Sequence, residues 1–215
     1  MKYIGFFLFL SVLSGIASCD LKEYPAKELG SFDHINSNGG VSFNFVQGVE
    51  NKVLSTSMSD AYYNVSGGQL SVNAPGGSMT IAIRGNIDLW CNACSVENSG
   101  TLAMDTMIMY LHAGSVKFND VHVGALGINA INTGSYKLDG TANYMNITVV
   151  NAVSFKGYNF VTDSTYINSQ NAFDVEVNAT KVLNAFIYSS GNVNYMGNPP
   201  VVRVTSTGLG KAVKK

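Results

Sequence analysis

Apolar positions in the second half of this chain return with a fixed beat. The phrases Asn92-Ala93-Cys94-Ser95-Val96, His112-Ala113-Gly114-Ser115-Val116 and Asn132-Thr133-Gly134-Ser135-Tyr136 are followed by Asn151-Ala152-Val153-Ser154-Phe155 and Asn171-Ala172-Phe173-Asp174-Val175, and the series fades at Ser189-Ser190-Gly191-Asn192-Val193. The closing residues Val96, Val116, Tyr136, Phe155, Val175 and Val193 are spaced by 20, 20, 19, 20 and 18 residues. A period of that size marks stacked supersecondary units. Phe118, Leu138, Val177 and Tyr195 follow two residues later, on the same face of a strand. The preceding pairs Ile108/Tyr110, Ile128/Ala130, Ile147/Val149, Ala185/Ile187 and Val202/Val204 are assigned to the interior as well. The same parity places Asn92, His112, Asn132, Asn151 and Asn171 inside, where amides stacked rung on rung satisfy one another. A lone buried amide would cost about 1–3 kcal/mol. The pattern predicts a β-solenoid over residues 91–215, with parallel strands about 4.8 Å apart. Pro199-Pro200 and the tail Lys211–Lys215 are the candidate C-terminal cap.

Residues 31–90 predict a less regular N-terminal β segment that caps the other end. Val41–Val46 alternates apolar and polar residues, and Tyr63–Val65 and Leu70–Val72 flank the turn Ser66-Gly67-Gly68. Ala74-Pro75-Gly76-Gly77 is assigned to a further turn before the strand Met79–Ile83. No segment carries a helical period, so the fold class is all-β. Composition agrees: 46% hydrophobic and 13% charged residues exclude disorder and a solvated helical bundle. A net charge of −1 gives no electrostatic footprint for nucleic acid, which is not expected as a partner.

The first 18 residues are a leader: Lys2, an apolar run from Tyr3 to Leu13, then small residues. Ile16-Ala17-Ser18-Cys19 resembles the lipobox of bacterial lipoproteins, which makes Cys19 the lipidation site and the membrane a partner through its acyl chains. The alternative is an ordinary secretory signal cleaved nearby. Residues 19–30 are a polar tether, and the expected address is a lipid-anchored position on the bacterial cell envelope, on the periplasmic face or the outer surface.

The repeated phrase resembles the Ser-Gly-Ala-Ser turn repeats of the auto-transporter adhesin head GIN domain family. Phe32-Asp33-His34-Ile35, Gly39-Gly40-Val41, Gln47-Gly48 and Gly68-Gln69-Leu70-Ser71-Val72 resemble its N-terminal pattern. Asn192-Val193-Asn194-Tyr195-Met196-Gly197-Asn198-Pro199 resembles its closing strand and turn. The likeness covers about residues 28–215, and Cys94, Val153 and Phe173 depart from it at usual Gly positions, which implies wider corners there. The resemblance implies a single-stranded right-handed parallel β-helix in a bacterial envelope lipoprotein, and it brings no catalytic residues.

Candidate chemistry is sparse. Cys91 and Cys94 have the spacing of a thioredoxin-type pair but no βαβ context; a structural disulfide is favoured over two quiet thiols or a redox or metal role. No metal site and no cofactor is expected, since His34, His112 and His122 are scattered. His112 is assigned to the interior and His122 to the surface. Lys117, Lys137 and Lys156 form an outward strip beside Ser115, Ser135 and Ser154, a candidate site for an acidic glycan or simply a solvated face that discourages sheet stacking. Leu111, Ile131, Val150 and Tyr188, with Met109 and Phe186 nearby, form a candidate apolar contact stripe, expected to be covered by the N-terminal strands. The carboxylates of the repeat scatter by column, so no acid pair for glycoside cleavage is visible. The expected function is a non-catalytic binding or adhesion module for glycan or protein. A structural envelope lipoprotein with a protein partner comes second and a polysaccharide-active enzyme a distant third.

Overall fold

The computed structural model describes residues 24–26 and 28–215; the leader, Cys19 and half of the 19–30 tether lie outside them. The fold is all-β. Its strands are β1 (Tyr24–Pro25), β2 (His34–Gln47), β3 (Lys52–Thr56), β4 (Tyr63–Ser66), β5 (Gln69–Ile83), β6 (Asn86–Asn92) and β7 (Ser95–Asn98). There follow β8 (Leu102–His112), β9 (Ser115–Lys117), β10 (Val121–Asn171), β11 (Val175–Ile187), β12 (Val193–Met196), β13 (Val201–Ser206) and β14 (Ala212–Lys214).

The repeat is a parallel ladder in which each rung pairs with the next one along the chain. Leu89 lies opposite Met109, Met109 opposite Ile128, Ile167 opposite Ala185, and Ala185 opposite Val204. The 51-residue β10 runs through more than two rungs by bending at corners instead of breaking. Val96, Val116, Tyr136, Phe155, Val175 and Val193 are all buried, and the rings of Tyr136 and Phe155 stack 5.9 Å apart. These side chains alternate with outward polar ones, so the core is a set of columns along the stack.

The corners overturn part of the parity inferred from sequence. Ala93, Ala113, Asn132 and Asn151 have left-handed φ values of 57°, 54°, 72° and 74°. Such a residue turns the chain, and the parity on its far side depends on how many residues the corner takes. The interior positions flanking the first two of these corners are Cys91 and Cys94, then Leu111 and Gly114, three residues apart. In the later rungs the gap is four, as from Val149 to Val153 and from Ile187 to Gly191. One residue fewer inverts every preceding side chain. Met107, Met109 and Leu111 therefore point inward, and Ile108 and Tyr110 do not. Ile128/Ala130, Ile147/Val149 and Ala185/Ile187 are buried as inferred.

The interior Asn ladder is likewise corrected. Asn92, His112, Asn132 and Asn151 are exposed; only Asn171 is buried. Its amide donates to the carbonyls of Val153 (2.7 Å) and Phe173 (2.8 Å) and accepts from the Val153 N–H (2.8 Å), so backbone, not a stacked amide, satisfies it. Phe173 swings outward there. Rung-to-rung amide bonds do form, but on the surface: Asn92 donates to Asn38 (2.9 Å), Asn38 to Asn73 (3.2 Å) and Asn151 to Asn132 (3.2 Å).

The parallel stack also begins before the repeat. β2 is sandwiched between β5 on one side and β6 and β7 on the other, all parallel, so a later strand occupies an earlier rung. The turn expected at Ala74–Gly77 is a bend inside β5. β3 and β4 pair antiparallel with β5, and β1 pairs antiparallel with β3. These strands close the end of the stack instead of covering a lateral stripe. At the other end, Val202 and Val204 stay in register with Leu183 and Ala185 but are 42% and 43% exposed, since no rung follows. The tail strand β14 pairs with β12.

Close stacking at the corners is tested by two substitutions. A Cβ on Gly134 would lie 2.1 Å from the Gly114 carbonyl oxygen, so Gly134→Ala is expected to cost at least about 2 kcal/mol in urea unfolding. The buried Tyr136 hydroxyl has no hydrogen-bond partner among the described residues, so Tyr136→Phe is expected to hold stability or raise it by up to about 1 kcal/mol. Equal losses in the two variants would contradict this packing.

Candidate functional site

Outward side chains fall into three surfaces, because columns that share a register also share a solvent exposure. The first contains the sequence-inferred strip. Ser42, Ser95 and Ser115 are in register, as are Glu97, Lys117 and Lys137, and Lys156 lies opposite Glu176. The three lysines are exposed and make no ion pair with another described residue. Ser95, Glu97, Ser115, Lys117, Ser135 and Lys137 line a shallow groove of about 390 Å³. Glu97 and Glu176 bracket the lysines, so the strip is a mixed-charge row.

The second surface is a corner cavity of about 690 Å³, whose walls include Arg84, Asp105, His122, Thr141 and Asp163. His122 Nε2 lies 2.9 Å from Asp120 and Nδ1 lies 2.8 Å from Thr141 Oγ1. This order of groups resembles a relay, but a relay needs its aspartate buried, and the Asp120 and His122 side chains are 59% and 45% exposed. Hydrogen bonds from Thr101 and His122 hold the Asp120 carboxyl below the usual range. Lys181, 2.8 Å away, does the same for Asp163. Asp174 is lowered by the Asn192 N–H (2.8 Å), with Asn194 also donating at 2.9 Å. None of the three has the raised pKa of a general acid. Each ties one rung to the next.

The third surface was found only in part by the parity argument, which placed Trp90's neighbour Tyr110 inside. Trp90 is 54% exposed and stacks on Tyr110 with ring centroids 4.3 Å apart. Tyr144 is 40% exposed and packs on Tyr166 at 5.1 Å. Phe186 and Tyr188 continue the row on β11 and just beyond it. Of the inferred contact stripe, Ile131, Val150 and Tyr188 do face outward here, whereas Leu111 and Met109 are buried by the short corner. The signal was present in the sequence: Leu89 and Cys91 flank Trp90, and Met145 and Ile147 follow Tyr144, as the apolar partners of an inward row.

Cys91 and Cys94, both nearly buried, are joined by a disulfide with Cα atoms 6.1 Å apart, spanning the corner at Ala93. No metal-binding cluster of His, Cys, Asp or Glu occurs among the described residues, and no helix there is long and apolar enough to cross a membrane.

This geometry defines an all-β protein of stacked parallel rungs with polar ties along its corners. The chain belongs to the family described as "Putative auto-transporter adhesin, head GIN domain", which matches residues 31–199. Its fold is similar to that of a "putative adhesin" from Bacteroides fragilis, with a TM-score of 0.73 at 17% identity over 90% of this chain and 95% of that one. A "putative adhesin" from Parabacteroides merdae has a TM-score of 0.64 at 14% identity, over 89% and 95% of the two chains. A "putative lipid binding protein" from Parabacteroides distasonis has a TM-score of 0.54 at 14% identity, again over 89% and 95%. No curated protein matches the sequence.

The carboxylate ties set the acid stability. A carboxyl held below its ordinary value stabilises the fold above the unfolded pKa, and this contribution is lost as pH falls through the folded one. The urea midpoint is therefore expected to be level between pH 7 and 5 and to drop below about pH 4. In Asp174→Asn the drop should be shallower; an unchanged acid limb would contradict the assignment.

Proposed function

We propose that this chain is a non-catalytic cell-envelope lipoprotein, a binding or adhesion module that presents a rigid face of a right-handed β-helix to glycan or protein. One observation carries the reading. The N-terminal strands close the end of the stack and leave its lateral faces uncovered, with Trp90, Tyr144, Phe186 and Tyr188 each 38–54% exposed. Large aromatics held on a sheet lose little entropy on binding, so such a face is preorganised for contact. Adhesin naming of the family and of two of the fold neighbours supports the same reading. Asp120, Asp163 and Asp174, held low by their hydrogen bonds, do not offer the raised acid that a glycosidase needs.

The lipobox resemblance supports a lipid anchor at Cys19, by which the module would be held at an envelope membrane. Cys19→Ser is expected to move the protein from the detergent phase to the aqueous phase on Triton X-114 partition. An unmodified wild-type chain in the aqueous phase would contradict the anchor. Binding itself is tested with the full chain in mild detergent, on immobilised glycans and by cross-linking to envelope proteins. The expected result is retention of a partner that is released unchanged. Appearance of new reducing ends would mark an enzyme instead.

A further inference from the structure

The aromatic surface differs from the other two in carrying no formal charge. The segments 106–112, 125–131, 144–150, 164–170 and 182–188 contain no Asp, Glu, Lys or Arg. Asp88 and Arg203 bound the surface at its two ends. An exposed sheet face of five rungs that does without charge is adapted to an uncharged partner, because a charged one would be desolvated there with nothing to pair with.

The face is also shaped. Between the row Thr106–Ile108–Tyr110 and the row Tyr144–Asn146–Thr148 lies a rung whose outward positions are Ala125, Gly127 and Asn129. The two missing side chains leave a slot of about 220 Å³, floored by Gly127 beside Ile108, with Tyr110 and Tyr144 at its diagonally opposite corners. The rungs on either side of Gly127 stand two strand spacings apart, about 9.6 Å, which admits one saturated ring. Asn129 and Asn146 make no side-chain hydrogen bond with another described residue, so both amides are free to donate and accept at the rim. Aromatic rings that meet the C–H faces of a sugar, with amides that meet its hydroxyls and no charge, are the recognition chemistry of a neutral hexose polymer.

We infer that this slot, at the centre of the aromatic face, binds a neutral polysaccharide, one sugar ring seated over Gly127 and the chain crossing the rungs diagonally from Tyr144 to Tyr110 and on past Trp90. The inference rests on the binding-module reading above and names its ligand class. It assigns the working face to the uncharged surface and not to the Lys117–Lys137–Lys156 strip.

The chain's single tryptophan is Trp90, so its fluorescence reports on this face alone. The full chain in detergent is titrated with the neutral polymers dextran, mannan and laminarin, and with acidic polygalacturonate. The variants are Gly127→Leu, Tyr144→Ala and the triple change of Lys117, Lys137 and Lys156 to Gln. A Cβ on Gly127 meets the side chain of Ile108 at an ordinary 3.5 Å, so the leucine fills the slot without disturbing the backbone. The expected result is that a neutral polymer shifts Trp90 emission with an affinity unchanged between 50 and 500 mM salt. Gly127→Leu and Tyr144→Ala should each weaken it at least tenfold, and the lysine variant should bind as wild type. Binding that survives Gly127→Leu with the native urea midpoint overturns the slot. Binding only of polygalacturonate, lost in the lysine variant, overturns the inference but keeps the binding module. No response to any polymer also overturns it, and a cross-linked envelope protein in the separate experiment would then leave the module with a protein partner.

Discussion

In-register parallel pairing is the interaction on which the rest of this structure depends. From β6 onward each rung donates and accepts its backbone hydrogen bonds through the rungs beside it, so a residue's neighbours lie one repeat away along the chain. That single constraint makes columns. A buried Val at one rung calls for Val, Tyr or Phe at the next; an outward Ser calls for a side chain of like solvation. It also joins surface to stability, since the same register that stacks Tyr136 on Phe155 inside stacks Trp90 on Tyr110 outside.

The corners decide which side chains go where. A left-handed residue at Ala93, Ala113, Asn132 or Asn151 turns the ladder, and the number of residues across the corner sets the parity of everything before it. At Cys91–Cys94 the disulfide spans such a corner, on the rung where the chain passes from its irregular N-terminal order into the regular repeat. Corner carboxylates and amides then lace rungs together: Asp174 to Asn192 and Asn194, Asp163 to Lys181, Asn151 to Asn132. These bonds commit Asp163 and Asp174 to holding rungs together.

Much of this was legible in the sequence. The twenty-residue beat of Val96, Val116, Tyr136, Phe155, Val175 and Val193 identified the buried column, because alternation from a closing residue forward meets no corner. The strip of Lys117, Lys137 and Lys156 was placed outside for the same reason. What failed was alternation carried backward through a corner. The phrases around Cys94 and Gly114 look like those around Gly134 and Val153, yet they span one residue fewer, and nothing in their side chains announces it. Hence Leu111 and Met109 were assigned to the surface and Tyr110 to the core. The place of β2 between β5 and β6 was also hidden, since periodicity reports neighbours in sequence order and this strand is out of order.

That inversion alone turns Trp90 and Tyr110 outward and makes an aromatic face. Hydroxyl-radical footprinting of the full chain, read residue by residue by mass spectrometry, measures it directly. Trp90 and Tyr144 should be labelled readily, while Met107 and Met109, both fully buried, stay protected despite the high reactivity of methionine; Met196, 39% exposed, is the internal positive control. Rapid oxidation of Met107 and Met109 with protection of Trp90 would contradict the structure of the face and the function drawn from it.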